Sequence, residues 1–309
     1  MKTLLRLFTY TAFVFLFFST NGNAQQQKGL FESDEVMDIT LSGNIRELLN
    51  DRSENSQYHP VILSYKGEDS VIISLTTEIK TRGHFRKVRG NCFYPPLMID
   101  FSKTDSLKSS LFAAQKKIKL VMPCKDDEYV IYEWLVYKLY NLVTPKSFRA
   151  RLVSVTLVDT KNKKAPLPFY GILLEEEKQM AKRNGLVSVT RNIRPEQTEP
   201  DAFLKMAVFE YLIGNTDWSV QYQQNIKLLA ADSSAVATTV PYDFDHAGIV
   251  NAPYAQPAEE LRMNSVRERR YRGFCIEEMK RFDSTIALYN RLKKDIYSLY
   301  SDCNFLDDK

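Results

Sequence analysis

Three short stretches carry most of the residues that could do chemistry: Asn215-Thr216-Asp217-Trp218, Asn225-Ile226-Lys227-Leu228 and Pro241-Tyr242-Asp243-Phe244-Asp245-His246. Together they set the carboxylates of Asp217, Asp243 and Asp245 and the amide of Asn225 near the ends of short apolar runs. Oxygen ligands grouped in this way suit a hard cation such as Mg2+, and Mg2+ brings phosphates with it. A lone aspartate would more simply cap a turn or a helix. It is the ordered set that points to chemistry.

An acidic end of this kind calls for basic partners. Arg82-Gly83 and Arg89-Gly90, with His84, Arg86 and Lys87 among them, form a basic run that could hold phosphates or could be a solvated hairpin tip. Alternation along 116–122 puts Lys117 and Lys119 on one face of a strand and Ile118 and Leu120 on the other. Arg262, Arg267, Arg269, Arg270 and Arg272 form a second basic cluster, either for an anionic substrate or tied down by Asp and Glu partners. No G-x-x-x-x-G-K-[ST] or G-x-G-x-x-G loop is present. With only His59, His84 and His246, and no G-x-S-x-G element, a nucleophilic triad or a zinc site is disfavoured.

The elements that must position these residues change character midway. Strand patterns recur at 36–41, 61–65, 70–79, 97–101, 116–122, 151–159 and 169–174. Between them, Asp126 or Asp127 opens a helix that runs to about residue 142 and carries Glu133. Asp201 is expected to cap a helix with apolar residues at helical spacing, ended by Gly214, with Glu210 on its more polar side. Strands at 226–230 and 235–240 form a hairpin that returns the chain beside its start. Asp217, Asn225, Asp243 and Asp245 can then meet at one end. Residues 276–282 and 286–300 read as two helices.

The chain has 309 residues, is 44% hydrophobic and carries a formal charge of +4, enough for a sizeable core and not a nucleic-acid-binding balance. Residues 1–24 read as an export signal. Lys2 and Arg6 precede an apolar run over 7–18, and Gly22-Asn23-Ala24 predicts cleavage after Ala24 and a secreted or periplasmic protein. No other stretch is long and apolar enough to span a bilayer. In an oxidising compartment Cys92, Cys124, Cys275 and Cys303 are expected to form two disulfides. Three pairings exist; Cys92–Cys124 and Cys275–Cys303 are favoured because each pair lies within one region of the chain.

In these motifs the chain resembles the spore-coat kinase-like family (CotH), distant relatives of the protein and lipid kinases. That family shows an Arg-Gly early in the sheet, a strand followed by a glutamate, an Asn-x-Asp-Trp element, a later Asn and a Pro-Trp-Asp-x-Asp element. Here these look like Arg82-Gly83, residues 170–176, 215–218, Asn225, and 241–245 with Tyr242 in place of Trp. The resemblance implies an α+β, two-lobed protein-kinase-like fold after the signal peptide. Its β-rich, antiparallel-sheet N-lobe spans 25–178 and its mainly helical C-lobe spans 179–309. It implies Asp217 and Asp243 as catalytic residues, and Asn225, Asp243 and Asp245 as ligands of Mg2+ or Mn2+. Glu133 would pair with a phosphate-binding lysine, and Glu175 or Glu176 would belong to a hinge that reads the ATP base. The phosphate-anchoring group would be Lys117 or Lys119, be replaced by Arg82 or Arg89, or be missing, because Cys92-Phe93-Tyr94 stands where the family places lysines. The implied activity is transfer of the γ-phosphoryl of ATP to a hydroxyl on an exported protein, a sugar or a lipid. The alternative is a kinase-like protein kept for binding or envelope structure without turnover.

Overall fold

The computed structural model describes residues 29–67, 69–162, 167–274 and 278–306. The expected export segment and Cys275 lie outside the described residues, and with Cys275 the expected Cys275–Cys303 bridge. Alternation of apolar and polar residues along the first half gives β1 (Met37–Gly43), β2 (His59–Lys66), β3 (Ile72–Thr81), β4 (Leu97–Asp100), β5 (Lys117–Val121), β6 (Ala150–Asp159) and β7 (Phe169–Leu174), with a short α1 (Ile45–Asn50) after β1. Their inward residues, among them Ile39, Leu41, Leu63, Leu75, Ile99, Leu120 and Val155, fill one interior. Phe112 lies in that core stacked on Phe101 at 5.0 Å, with Tyr65 edge-on at 5.6 Å.

This sheet is not the open antiparallel sheet of a kinase-like N-lobe. It is a closed seven-stranded barrel in the order β1-β2-β3-β4-β5-β7-β6. Closure comes from β6 returning beside β1 in parallel, from Met37 opposite Val153 to Gly43 opposite Asp159. Thr160 N–H donates to Gly43 O at 2.9 Å and Arg46 N–H to the Asp159 carboxylate at 2.7 Å, which pins the seam. Closing the sheet leaves neither strand an open edge. The two-lobed kinase-like expectation is corrected accordingly.

A second core lies outside the barrel wall. Its spine is α2 (Glu128–Val143), apolar on nearly every side, as befits a helix covered all round. It packs with Leu152 and Ile172 of the barrel, Phe209 of α4 (Pro200–Ile213), and Phe244. α5 (Met279–Ser301) lays Leu288, Leu292, Ile296 and Leu299 against this core. It is one helix where two were expected. Ser284 and Thr285, which lie in the gap between the two expected ranges, donate their hydroxyls to the carbonyls of Lys280 (2.8 Å) and Arg281 (3.1 Å) and stay helical.

Against this second core also pack α3 (Glu177–Arg183) and a three-stranded sheet. The sheet comprises β8 (Val187–Val189), β9 (Ile226–Ala230) and β10 (Thr238–Pro241), with β9 in the middle. Among the described residues no helix is long and apolar enough to cross a membrane.

Candidate functional site

The β9–β10 hairpin sets Ile226 opposite Pro241, and Tyr242 N–H donates to Asn225 O at 3.0 Å. Asn225 and Asp243 therefore stand at one end of the hairpin. Both have left-handed backbone, φ +51° and +64°, a conformation that Asn and Asp tolerate better than most residues. The Asn225 amide is engaged on Asp217. Its Nδ2 donates to the Asp217 carbonyl at 2.7 Å and to Asp217 Oδ2 at 2.9 Å, and Gln224 donates to Oδ1. Asp217 N–H in turn donates to Asn215 Oδ1 at 3.0 Å. Beneath lies Glu210, fully buried rather than on a polar side, its acid held well above the usual carboxylate range by burial. Arg272 closes the group. It donates to the carbonyls of Thr216 and Trp218 and lies over the Trp218 ring at 5.4 Å.

Asp243 and Asp245 belong to a different group. Tyr137 of α2 accepts from Asp243 N–H through its hydroxyl oxygen at 2.9 Å. Tyr254 donates its hydroxyl to Asp245 Oδ2 at 2.9 Å, and Arg86 Nη1 lies 3.9 Å from the same oxygen. Glu133 projects from α2 toward both aspartates. It is 2% exposed and its Oε1 has no hydrogen-bond partner. Burial first, then Asp245 and Asp243, hold the Glu133 acid well above its ordinary range; Arg86 and the Phe244 N–H oppose this. Asp243 is raised by burial and then by Asp245. Three acids thus surround one buried guanidinium, and two of them, Glu133 and Asp243, take up protons more readily than isolated carboxylates. Glu133 pairs with neither Lys117 nor Lys119. Arg86 and Lys87, which the sequence offered either for phosphates or as part of a solvated hairpin tip, turn inward: Arg86 donates to Met122 O and Lys87 to Ser56 Oγ at 3.0 Å.

The basic residues of β5 part company. Lys117 is tied to Asp100 at 2.9 Å and Tyr58 at 3.2 Å. Lys119 Nζ sits over the Tyr242 ring, 5.0 Å from its centroid, and Lys227 Nζ approaches the same ring at 5.4 Å. Lys227 is paired with Glu177 at 3.0 Å. Arg82, Asp243 and Glu177 all lie near enough to bear on Lys119, whose ammonium is pushed down to about 8 by burial first and Arg82 second. Lys227 and Glu177 are the members of this cluster that sequence reasoning missed. The alternation Ile226-Lys227-Leu228 was the available signal, since it puts Lys227 on the face opposite its apolar neighbours.

The remaining expected residues are structural. Glu175 is buried, accepts from Arg149 N–H at 2.9 Å and holds Arg183 at 2.9 Å. Glu176 caps α3 by accepting from Lys178 N–H (2.9 Å) and Gln179 N–H (3.1 Å). Arg269 and Arg270 of the later cluster, like Arg272, are held by backbone carbonyls. Arg269 donates to Leu212 O at 3.1 Å and to Arg267 O at 2.7 Å, and Arg270 donates to Leu261 O.

No protein-family model matches the chain, and no curated protein does. The likeness to the spore-coat kinase-like family thus rests on the quoted residues alone. Among the described residues no group of three or more His, Cys, Asp or Glu side chains is placed to hold a metal ion. The donor set explains this. The Asn225 amide is engaged by Asp217, Asp245 is engaged by Tyr254, and the acids enclose Arg86 instead of converging on a shared point. The expectation of an ATP-dependent kinase with Mg2+ or Mn2+ on Asn225, Asp243 and Asp245 is corrected on these grounds, together with the closed barrel.

Proposed function

We propose that the protein is an exported binding protein that works without turnover, and that the cluster of Lys119, Lys227 and Tyr242, where β5 meets β9, receives an anionic ligand. The observation that carries this reading is Lys119. It is a partly buried ammonium between Arg82 and Lys227, with no ion pair of its own among the described residues. Such a cation costs stability until an anion meets it. The closed barrel supplies a rigid wall on which Lys119 is fixed by the burial of Ile118 and Leu120 on either side. Rigidity of this kind suits binding by a preformed site.

The test is calorimetric titration of the full chain with sulfate, inorganic phosphate and citrate, each with EDTA present. Saturable binding of at least one anion is expected, weakened about tenfold or more in Lys119→Ala, the scale of a lost charge-assisted hydrogen bond. Binding that requires a divalent ion, or that Lys119→Ala leaves unchanged, overturns the reading. So does phosphoryl transfer from a nucleotide.

A further inference from the structure

The loop between β3 and β4 reverses the usual placement of side chains. From Ile79 to Ile99 the chain has five Lys and Arg residues and no acid. Yet this loop buries two of its cations, Arg86 and Lys87, and turns apolar groups outward: Phe85 is 46% exposed, Val88 56% and Phe93 71%. Single exposed apolar residues are ordinary on protein surfaces. Here the outward set is held in place. The Cys92–Cys124 disulfide anchors the loop to the end of β5. Phe93 N–H donates to Cys124 O at 2.7 Å. Arg52 donates to the carbonyls of Cys92 (3.0 Å) and Phe93 (2.6 Å), and Asn91 donates to Phe85 O at 2.8 Å. The apolar tips are thus presented with little ordering left to do on contact.

We propose that this loop docks the protein on an anionic lipid surface, with Val88 and Phe93 entering the acyl boundary and Arg89 and Lys125 meeting the headgroups. Charge complementarity selects this occupant. Arg89 and His84 are exposed beside the apolar tips, and Lys125 follows the disulfide-bonded Cys124 directly. Asp126 follows Lys125 and is exposed as well, so the positive side of the collar is the loop itself, where no acid lies between Ile79 and Ile99. A cationic collar around apolar tips is the pattern of an interfacial anchor, in which burial and attraction to anionic lipid add. The proposal does not depend on the ligand of the Lys119 cluster, and the variants that test it leave Arg82 and Lys119 intact.

The experiment is co-sedimentation of the full chain with vesicles of phosphatidylcholine alone and with a minority of phosphatidylglycerol. Binding is expected only to the mixed vesicles and is expected to weaken with added salt. The pair Val88→Ser with Phe93→Ser should lose about tenfold or more. Arg89→Gln and Lys125→Gln should each lose about fivefold. Wild type and variants carry the same N-terminal segment, so a difference between them reads the loop. Phe93→Trp keeps the apolar tip and gives a second readout, a blue shift of emission on mixed vesicles. Absence of binding, equal binding to neutral vesicles, indifference of the variants, or no spectral shift in Phe93→Trp each overturns the proposal.

Discussion

At Lys119, burial and Arg82 act in the same direction, and the linkage can be read with its sign. The ammonium is depressed from the ordinary 10.5 to about 8. Between those values the unfolded chain holds the proton and the folded chain does not, so this group adds stability as pH rises through that window. Below about 8 both states are charged and the folded state carries the full cost. Lys119→Met is therefore expected to stabilise the protein at pH 7, by up to about 3 kcal/mol before screening of a partly exposed amine reduces it. The gain should shrink from about pH 8 toward 10.5. Urea denaturation of both proteins at pH 7 and pH 10 reads this; an equal gain at both values would rule the account out. Arg86 is the opposite case. Arg86→Met leaves Glu133, Asp243 and Asp245 without their buried cation, at a cost of about 3–5 kcal/mol at pH 7. Glu133 and Asp243 titrate above their ordinary range, so protonation should relieve much of that loss near pH 5. A loss that does not change between pH 7 and pH 5 would show that Arg86 acts through packing alone. The sequence could name Asp243, Asp245, Glu133 and Arg86. It could not group them, because an arginine in a run with His84, Lys87 and Arg89 gives no sign that it alone faces α2.

Among the elements, strands were legible wherever one side faces the barrel interior, since alternation is then strict; β5 and its two lysines are the clearest instance. Closure was not legible. The β1–β6 seam joins strands more than a hundred residues apart, and parallel pairing leaves no turn residue to mark it. α3 was missed because Glu175, Glu176 and Glu177 resemble a polar strand end, although Glu176 is the cap that starts the helix. Two expectations test the barrel. Gly171 on β7 has no room for a side chain: an added Cβ would lie 3.1 Å from Leu120 Cδ1, from Val121 O and from Val155 Cγ2. Gly171→Ala should cost about 1–3 kcal/mol by overpacking, read as a lower urea midpoint; an unchanged midpoint would mean that the wall there is pliant. The Cys92–Cys124 bridge closes a sequence separation of 32. Replacing both cysteines by serine should cost about 3–4 kcal/mol on the chain-entropy view. Were the loss no larger than that of an ordinary surface change, Arg52 and the Phe93–Cys124 hydrogen bond would be sufficient to hold the loop.

For the whole molecule, the question is whether barrel and helical layer unfold together. α2 argues that they do. Trp134 donates to Ala150 O on β6 at 3.3 Å, while the same helix packs against α4 and α5. Tyr289 of α5 donates to Lys205 O on α4 at 2.8 Å, so the outer helices are also tied to one another. The protein has two tryptophans, and they report different places. Trp134 lies between α2 and the barrel wall, and Trp218 lies in the small core of Phe203, Ile226 and Leu228 beside the hairpin. Trp218→Phe leaves Trp134 as the only indole, and Trp134→Phe leaves Trp218. In each variant the fluorescence transition in urea should coincide with that variant's own far-ultraviolet circular dichroism transition, as a two-state unit requires. Because each variant is compared with itself, any change in stability caused by the substitution cancels. A Trp218 signal lost well before the dichroism would separate the hairpin from the barrel. The cluster of Lys119, Lys227 and Tyr242 would then be a contact between two independently stable parts, free to open, rather than the preformed site that tight anion binding needs.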